Sequence, residues 1–153
     1  MRYDRREARI RAMQILYAHE ISGEPIQDVT ASVLEDFQDH ETLYKFTEKL
    51  VYLVATKRQE FDEYITPLLS NWELKRTALL DKILIRIAMC EVLYFEDIPP
   101  KVSINEVLEI AKLYSTANSS KFINGILDAF LTRMKEAGKI IKSGRGLIDP
   151  SSR

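Results

Sequence analysis

Apolar residues recur at spacings of three and four along almost the whole chain, and no stretch alternates with period two. This periodicity is that of amphipathic helices and predicts an all-α fold, a compact bundle of about seven helices. Gly, Pro and capping residues between the apolar runs mark where the helices end. We place them at about 4–22, 26–37, 41–60, 61–69, 75–95, 103–114 and 121–137.

The helix at about 75–95 is the most apolar, because its apolar residues cover a broad arc and not a narrow stripe. Such a helix is normally surrounded by others, so we expect it at the centre of the fold. We expect one domain over residues 1–138, in two small helical lobes (about 1–70 and 71–138), followed by a flexible basic tail over 139–153. Trp72 could fill the gap between two helices or anchor a partner. We favour the first.

Local signals in the second half predict helix ends and contacts. Ser103 and Glu106 have the spacing of a capping box, which satisfies the free amides at a helix start. The Ser-, Thr- and Asn-rich segment 115–120 predicts a loop that ends in an N-cap. Gly125 costs helix propensity inside the last helix and predicts close packing against a neighbouring helix.

Catalytic and metal-binding motifs are missing from the sequence. It has no Gly-rich phosphate loop, no His-x-x-x-His or Cys-x-x-Cys spacing and no nucleophile elbow. The single cysteine, Cys90, lies in an apolar run, where a buried and inert thiol is expected. We therefore expect a protein that is not an enzyme and needs no cofactor or metal. We also expect it in the cytoplasm, since it shows no signal region and no apolar run long enough to span a membrane.

The charged residues are unevenly distributed, although the net charge is only −1. Five arginines lie among the first eleven residues, and six bases against two acids lie from residue 133 to the end. Residues 20–63 carry eleven acids against four bases. A basic start and a basic end around an acidic middle indicate a localised anion-binding surface.

The first candidate contact with nucleic acid is an arginine-rich face of the first helix. Arg2, Arg5, Arg6 and Arg9 share one face at spacings of three and four. Guanidinium groups in such a row can bind successive phosphates and release counterions. A solvated helix face with local ion pairs explains the same pattern equally well, so both interpretations stand at this point.

The second candidate is the start of the last helix. Asn118, Ser119 and Lys121 lie where a helix N-terminus would offer free amides and a partial positive charge to a phosphate. Phe122 could stack on an unpaired base. It could also be the first core residue of its helix, which periodicity alone favours.

Six blocks of residues, in order along the chain, resemble the NusB family of transcription antitermination factors. They are RREAR at 5–9 with LY at 16–17 and EISG at 20–23; NWEL at 71–74 with Arg76; DKILIR at 81–86 with Glu91; DIP at 97–99; INE at 104–106 with EIAK at 109–112; and KFINGILD at 121–128. The INE and KFINGILD blocks are the most specific. Where the family often has Glu-Asp-Ser before the last block, this chain has Ala-Asn-Ser at 117–119, and the loss of two acids favours a polyanion.

The resemblance implies two small helical bundles that bind boxA, a short single-stranded segment of nascent ribosomal RNA leader transcripts. The implied partner is NusE, a small-subunit ribosomal protein that doubles as an elongation factor. Their complex joins other Nus factors on RNA polymerase and suppresses premature termination. By matching position, the resemblance implies RNA contacts at Arg5, Arg6, Arg9, Lys121 and Phe122. The residues that we expect to bind RNA are these five with Arg2, Asn118 and Ser119.

Two other functions remain open at this point. The chain could be a homodimeric helical adapter whose arginines are masked in the dimer. The fold of the family also occurs as the RNA-binding domain of an rRNA cytosine methyltransferase, which needs a large catalytic domain afterwards. The chain ends about fifteen residues after its last predicted helix, so the second alternative requires it to be a fragment.

Overall fold

The computed structural model describes residues 3–69 and 73–148, so Arg2 and Trp72 lie outside the described residues. The α-helices are α1 (Arg5–Ser22), α2 (Ile26–Val33), α3 (Glu41–Thr56), α4 (Arg58–Ile65), α5 (Glu73–Arg76), α6 (Leu79–Tyr94), α7 (Pro100–Tyr114) and α8 (Ala117–Glu136). Short 3-10 segments lie at Glu35–Phe37, Thr66–Leu68 and Gly144–Leu147. The described residues contain no strand, and the predicted all-α fold is confirmed.

Helix α6 is the centre of the fold, as its broad apolar arc predicts. Every residue from Ile83 to Val92 is buried, which means that α6 is covered around its whole circumference. It packs against α1, α3 and α4, and also against α7 and α8. The helices α1, α3 and α4 from the first half of the chain and α7 and α8 from the second half therefore all pack on α6. Their buried apolar residues join in one core.

The ends of α1 follow the local signals in the sequence. The carboxylate of Asp4 accepts a hydrogen bond from the amide of Glu7 at 2.8 Å and caps the first turn. Gly23 ends the helix with φ +73°, and its amide donates to the carbonyl of His19. Glycine adopts this left-handed conformation at low cost, which explains its place at the helix end.

Two predicted helices are interrupted in the structure. The boundary that we predicted between the helices over 41–60 and 61–69 lies earlier, at Lys57, so that α3 ends at Thr56 and α4 starts at Arg58. The predicted helix over 26–37 is α-helical only to Val33 and continues as a 3-10 turn. Phe37 and Phe61 both reach the core, so the apolar spacing continues through both breaks and does not fix their positions.

The predicted capping box at Ser103 is wrong. Helix α7 begins three residues earlier, with Pro100 in its first turn, where the missing amide hydrogen of proline is not needed. Ser103 is therefore inside the helix and fully buried. Its hydroxyl donates to Oε1 of Glu91 in α6 at 2.8 Å, so it links two helices and caps neither.

Replacing Ser103 with Ala should lower the free energy of unfolding by about 1.5 kcal/mol, because a buried carboxylate loses one of its hydrogen-bond donors. Ser32→Ala in α2 is the matched control, since Ser32 is an exposed helical serine. Its effect should stay within about 0.5 kcal/mol. Urea denaturation of both variants checks the prediction, and equal midpoints would contradict the proposed role of the Ser103 hydroxyl.

Part of the segment 139–148, where we expected a flexible tail, contacts the end of α6 and the residues after it. The ammonium group of Lys142 donates to the carbonyls of Glu91 and Phe95 at 3.1 and 2.7 Å. Glu91 lies in the last turn of α6 and Phe95 is the residue that ends the helix, so the cation of Lys142 lies at the carboxyl end of α6, where the helix dipole favours positive charge. The amide of Ser143 donates to the carbonyl of Glu96 at 3.0 Å. Burial lowers the pKa of Lys142 to about 8.

Candidate nucleic-acid interface

Arg9 is part of the core and not of an exposed arginine face. Its side chain is 2% exposed and its Nε and Nη2 donate to the two carboxylate oxygens of Glu91 at 2.7 and 2.8 Å. Burial alone would lower the pKa of Arg9, but the charge of Glu91 and the hydrogen bonds to it outweigh burial and raise it. The prediction that Arg9 faces solvent is wrong, because the buried carboxylate of Glu91 requires a cation beside it.

Arg11 also holds α1 in the fold. Its guanidinium donates to both carboxylate oxygens of Asp36 at 2.7 and 3.0 Å, and to the carbonyl of Val33 at 2.9 Å. A further hydrogen bond reaches Glu7 one turn earlier at 2.9 Å. The hydrogen bond from Arg11 lowers the pKa of Asp36. Arg11 therefore joins α1 to the segment that follows α2.

Arg5 and Arg6 are the accessible members of the predicted arginine face among the described residues. The side chain of Arg5 is 45% exposed and pairs with Asp97 at 3.2 Å. That of Arg6 is 31% exposed and pairs with Glu106 at 2.7 Å. Exposed ion pairs contribute little to stability, so Arg5 can exchange the carboxylate of Asp97 for a phosphate at low cost. The Arg6–Glu106 pair is partly buried.

The N-terminus of α8 lies four residues earlier than we expected. The helix starts at Ala117, and the hydroxyl of Thr116 accepts from the amide of Ser119 at 3.0 Å as its N-cap. Lys121 and Phe122 therefore lie in the second turn, and the prediction that free helix amides surround them is wrong. Lys121 remains an exposed cation on the helix surface.

A cleft lies where the first turns of α6 and α8 meet. Asp81 of α6 contributes a carboxylate that accepts from the hydroxyl of Ser119 at 2.9 Å. The hydroxyl of Ser115 lies 3.3 Å from the carboxylate and 2.9 Å from the Ser119 oxygen. Asp81 is only 6% exposed, yet it lines the cleft together with Asn118 and Phe122. The cleft thus combines a fixed carboxylate, an amide and an aromatic ring.

Phe122 and Gly125 lie on the face of α8 that begins at this cleft. Phe122 is half-buried, since it packs on the core and also lines the cleft. Gly125 is exposed, and a Cβ there would meet no atom within 4 Å. The close helix packing that we predicted for Gly125 is therefore wrong. Asn118, Phe122 and Gly125 follow at spacings of four and three, which places them on one face of the helix.

The two candidate regions lie at different heights along α7, one beside its middle and one at its carboxyl end. Arg6 reaches Glu106, whereas the cleft adjoins Ser115 just after the helix. These positions are nine residues apart (106 to 115), which corresponds to about 14 Å along a helix. The fold places the two regions on neighbouring helices without bringing them into contact. A ligand that touches both must be extended.

Asp81 is the residue of this interface whose chemistry we did not predict. It occurs in one of the family-like blocks, but as one carboxylate among many helical carboxylates it carries no local signal. It becomes part of a cleft only because the end of α7 and the start of α8 pack on α6. The described residues contain no group of three or more His, Cys, Asp or Glu side chains that could hold a metal ion.

Two further predictions concern the core and the membrane. Cys90 is fully buried, and burial raises the pKa of its thiol, which fits the inert thiol that we expected. Among the described helices, none has the length and apolar character to span a membrane.

The chain matches the model of the NusB family over residues 6–132. The transcription antitermination protein NusB of Chloroherpeton thalassium is 48% identical over 146 residues, which are 95% of this chain and 69% of that protein. The structure of T. maritima NusB has a TM-score of 0.79 at 32% identity and covers 86% of this chain and 93% of its own. A chain in the crystal structure of antitermination factors NusB and NusE in complex with dsRNA has a TM-score of 0.74 at 24% identity, over 84% of this chain and 96% of that one.

Proposed function

Because the chain belongs to the NusB family, we propose that it is a transcription antitermination factor that binds RNA together with the ribosomal protein NusE. The name of the C. thalassium relative and the NusB–NusE–RNA complex of the same fold support this proposal. The complex then joins other Nus factors on RNA polymerase in the cytoplasm. Neither the methyltransferase nor the homodimeric adapter is favoured, since the family and the relative are both those of the antitermination factor.

The observation that carries the proposal is the surface along α7 and α8. Arg5 and Arg6 supply cations at one end, and Lys121 and the half-exposed Phe122 lie at the other. Cations for the backbone and an aromatic ring for a base are the components of single-strand binding sites. The separation of the two regions suits an extended strand better than a small anion.

A single-stranded RNA of the boxA type fits this surface better than a duplex. A duplex can offer its phosphates to Arg5 and Arg6, but its bases are stacked and paired, so none can lie on Phe122. An unpaired strand can satisfy both ends. NusE then adds contacts that the RNA alone does not make, and binding should be tighter in its presence.

The salt dependence of RNA binding tests this proposal. The variant Arg5→Ala/Arg6→Ala/Lys121→Ala should bind a boxA-type RNA more weakly. The slope of log K against log salt should become shallower by about 2, which is about 0.7 for each lost phosphate contact. Fluorescence anisotropy over a series of salt concentrations, with and without NusE, measures both quantities.

The matched control is Lys45→Ala/Arg133→Ala/Lys135→Ala, which removes the same positive charge from exposed positions on α3 and the end of α8. It should keep the slope of the unmodified protein. Equal slopes for the two triple variants would show that the charge acts only through the net field of the protein and would refute the contact surface. Thermal melts ensure that both variants are folded.

A further inference from the structure

We propose that the cleft between the first turns of α6 and α8 is a base-reading subsite that selects guanine, with Asp81 as the specificity-determining residue. The proposal rests on the proposed RNA-binding function and adds a base preference to it. The cleft is lined by Asp81, Asn118 and Phe122, together with residues 76–78, which precede α6.

The carboxylate of Asp81 is held in place by hydrogen bonds and can still accept further ones. Its Oδ2 accepts from the hydroxyl of Ser119 at 2.9 Å. The hydroxyl of Ser115 lies 3.3 Å from Oδ1 and 2.9 Å from the Ser119 oxygen, and its one hydrogen can donate to either. A carboxylate oxygen accepts two hydrogen bonds, so each oxygen keeps one position for a ligand. The two serines orient the group without neutralising its charge. The cleft therefore offers two adjacent acceptors and favours a ligand with two adjacent donors.

Guanine is the base with that arrangement. Its Watson–Crick edge carries the N1 and N2 hydrogens side by side, and both can donate to one carboxylate. Adenine and cytosine place an amino group beside a ring nitrogen that accepts, and uracil places one imino hydrogen between two carbonyls. Each of these would direct a lone pair at an oxygen of Asp81. Hydrogen bonds to a charged acceptor are stronger than neutral ones, which increases the difference.

Phe122 and the backbone at Gly125 supply the rest of the subsite. Phe122 lines the same cleft and offers a surface on which the guanine ring can stack. Gly125 lies on the same face of α8 with nothing within 4 Å of its Cβ position, so a nucleotide can pass over the helix there. Reading the edge of an unpaired base while its face lies on an aromatic ring is the usual mode of single-stranded RNA recognition.

Oligouridylates of twelve nucleotides with one central substitution test the proposal on the full chain. A homopolymer leaves the register free, so a single guanine can find the subsite. We expect guanine to raise affinity over uracil roughly 5- to 150-fold, the range for a bidentate base contact. Inosine, which lacks the 2-amino group, should fall between them, and adenine and cytosine should resemble uracil.

Asp81→Asn should reduce the preference for guanine to less than about twofold, since the new amide directs donors at the donors of guanine. Asp28→Asn, at an exposed position in α2, is the matched control and should keep the full preference. The comparison of guanine with inosine on the unmodified protein needs no variant, so the test does not depend on the folding of Asp81→Asn.

Three results would overturn the subsite. The first is equal binding of the guanine and inosine RNAs by the unmodified protein. The second is a guanine preference that survives in Asp81→Asn. The third is that Asp81→Asn keeps the guanine preference and also binds NusE more weakly, which would assign the carboxylate to a protein partner. If the unmodified protein binds none of these RNAs, with or without NusE, the proposed function fails as well, and the two failures are thereby distinguished.

Discussion

Replacing Arg9 with Ala is expected to lower the free energy of unfolding by about 3–5 kcal/mol, the cost of leaving a buried charge without its partner. Arg9 makes two hydrogen bonds to Glu91, and neither side chain is more than 2% exposed. Only the Ser103 hydroxyl and the more distant groups around Glu91 would remain to compensate its charge. Since whole domains are stable by about 5–15 kcal/mol, this one substitution removes a large share.

Arg5→Ala is the control, because it makes the same change on the same helix at an exposed position. Its effect should stay below about 1 kcal/mol. The double variant Arg9→Leu/Glu91→Leu should recover much of the loss, since it leaves no buried charge. Urea denaturation measures all three, and an Arg9→Ala variant as stable as Arg5→Ala would refute the structural role of the pair.

The spacing of the arginines predicts a shared helix face but not which part of that face is covered. Residues Ala8 to Met13 are all buried, so α1 is surrounded on every side over this stretch. The partner of Arg9 lies 82 positions along the chain, on α6. Local spacing contains no information about such a contact. An RNA-binding test that combined Arg9 with Arg5 and Arg6 would therefore confuse loss of fold with loss of contact.

Helix boundaries were predictable where one local signal acted alone. The predicted bounds 4–22 of the first helix agree closely with α1, whose start is capped by Asp4 and whose end is capped by Gly23. At Ser103 the capping-box spacing competes with Pro100, and the proline begins the helix because its missing donor and fixed φ suit the first turn. The central place of α6 was predictable for another reason, since burial around a whole helix requires apolar residues around it.

The candidate site was predictable in part. Arg5, Arg6, Lys121 and Phe122 are accessible, as RNA contacts must be, and their part in RNA binding remains a prediction. Asp81 entered the site only through the folding of α7 and α8 onto α6, which brings Ser115 and Ser119 to its carboxylate. Because these serines are distant in sequence, the residues around Asp81 do not indicate that its carboxylate lies in a site.

Replacing Phe122 with Ala should weaken RNA binding by about 1–3 kcal/mol, or about 5- to 150-fold, because the mutant lacks a surface on which a base can stack. The sequence allowed both a core position and a stacking position, and the structure shows Phe122 half-buried, in contact with the core and lining the cleft. The loss of stability should therefore be smaller than the roughly 3–5 kcal/mol of a fully buried aromatic residue.

Two variants on α8 make this test specific. Phe122→Tyr keeps an aromatic ring and should keep most of the RNA affinity. Phe130→Ala removes a ring that is 1% exposed and should cost roughly 3–5 kcal/mol of stability, while the folded fraction binds RNA normally. Thermal melts and RNA titrations on the three variants separate the two roles. If Phe122→Ala behaves like Phe130→Ala, with a large loss of stability and normal affinity in its folded fraction, then Phe122 is a core residue and the base must bind elsewhere.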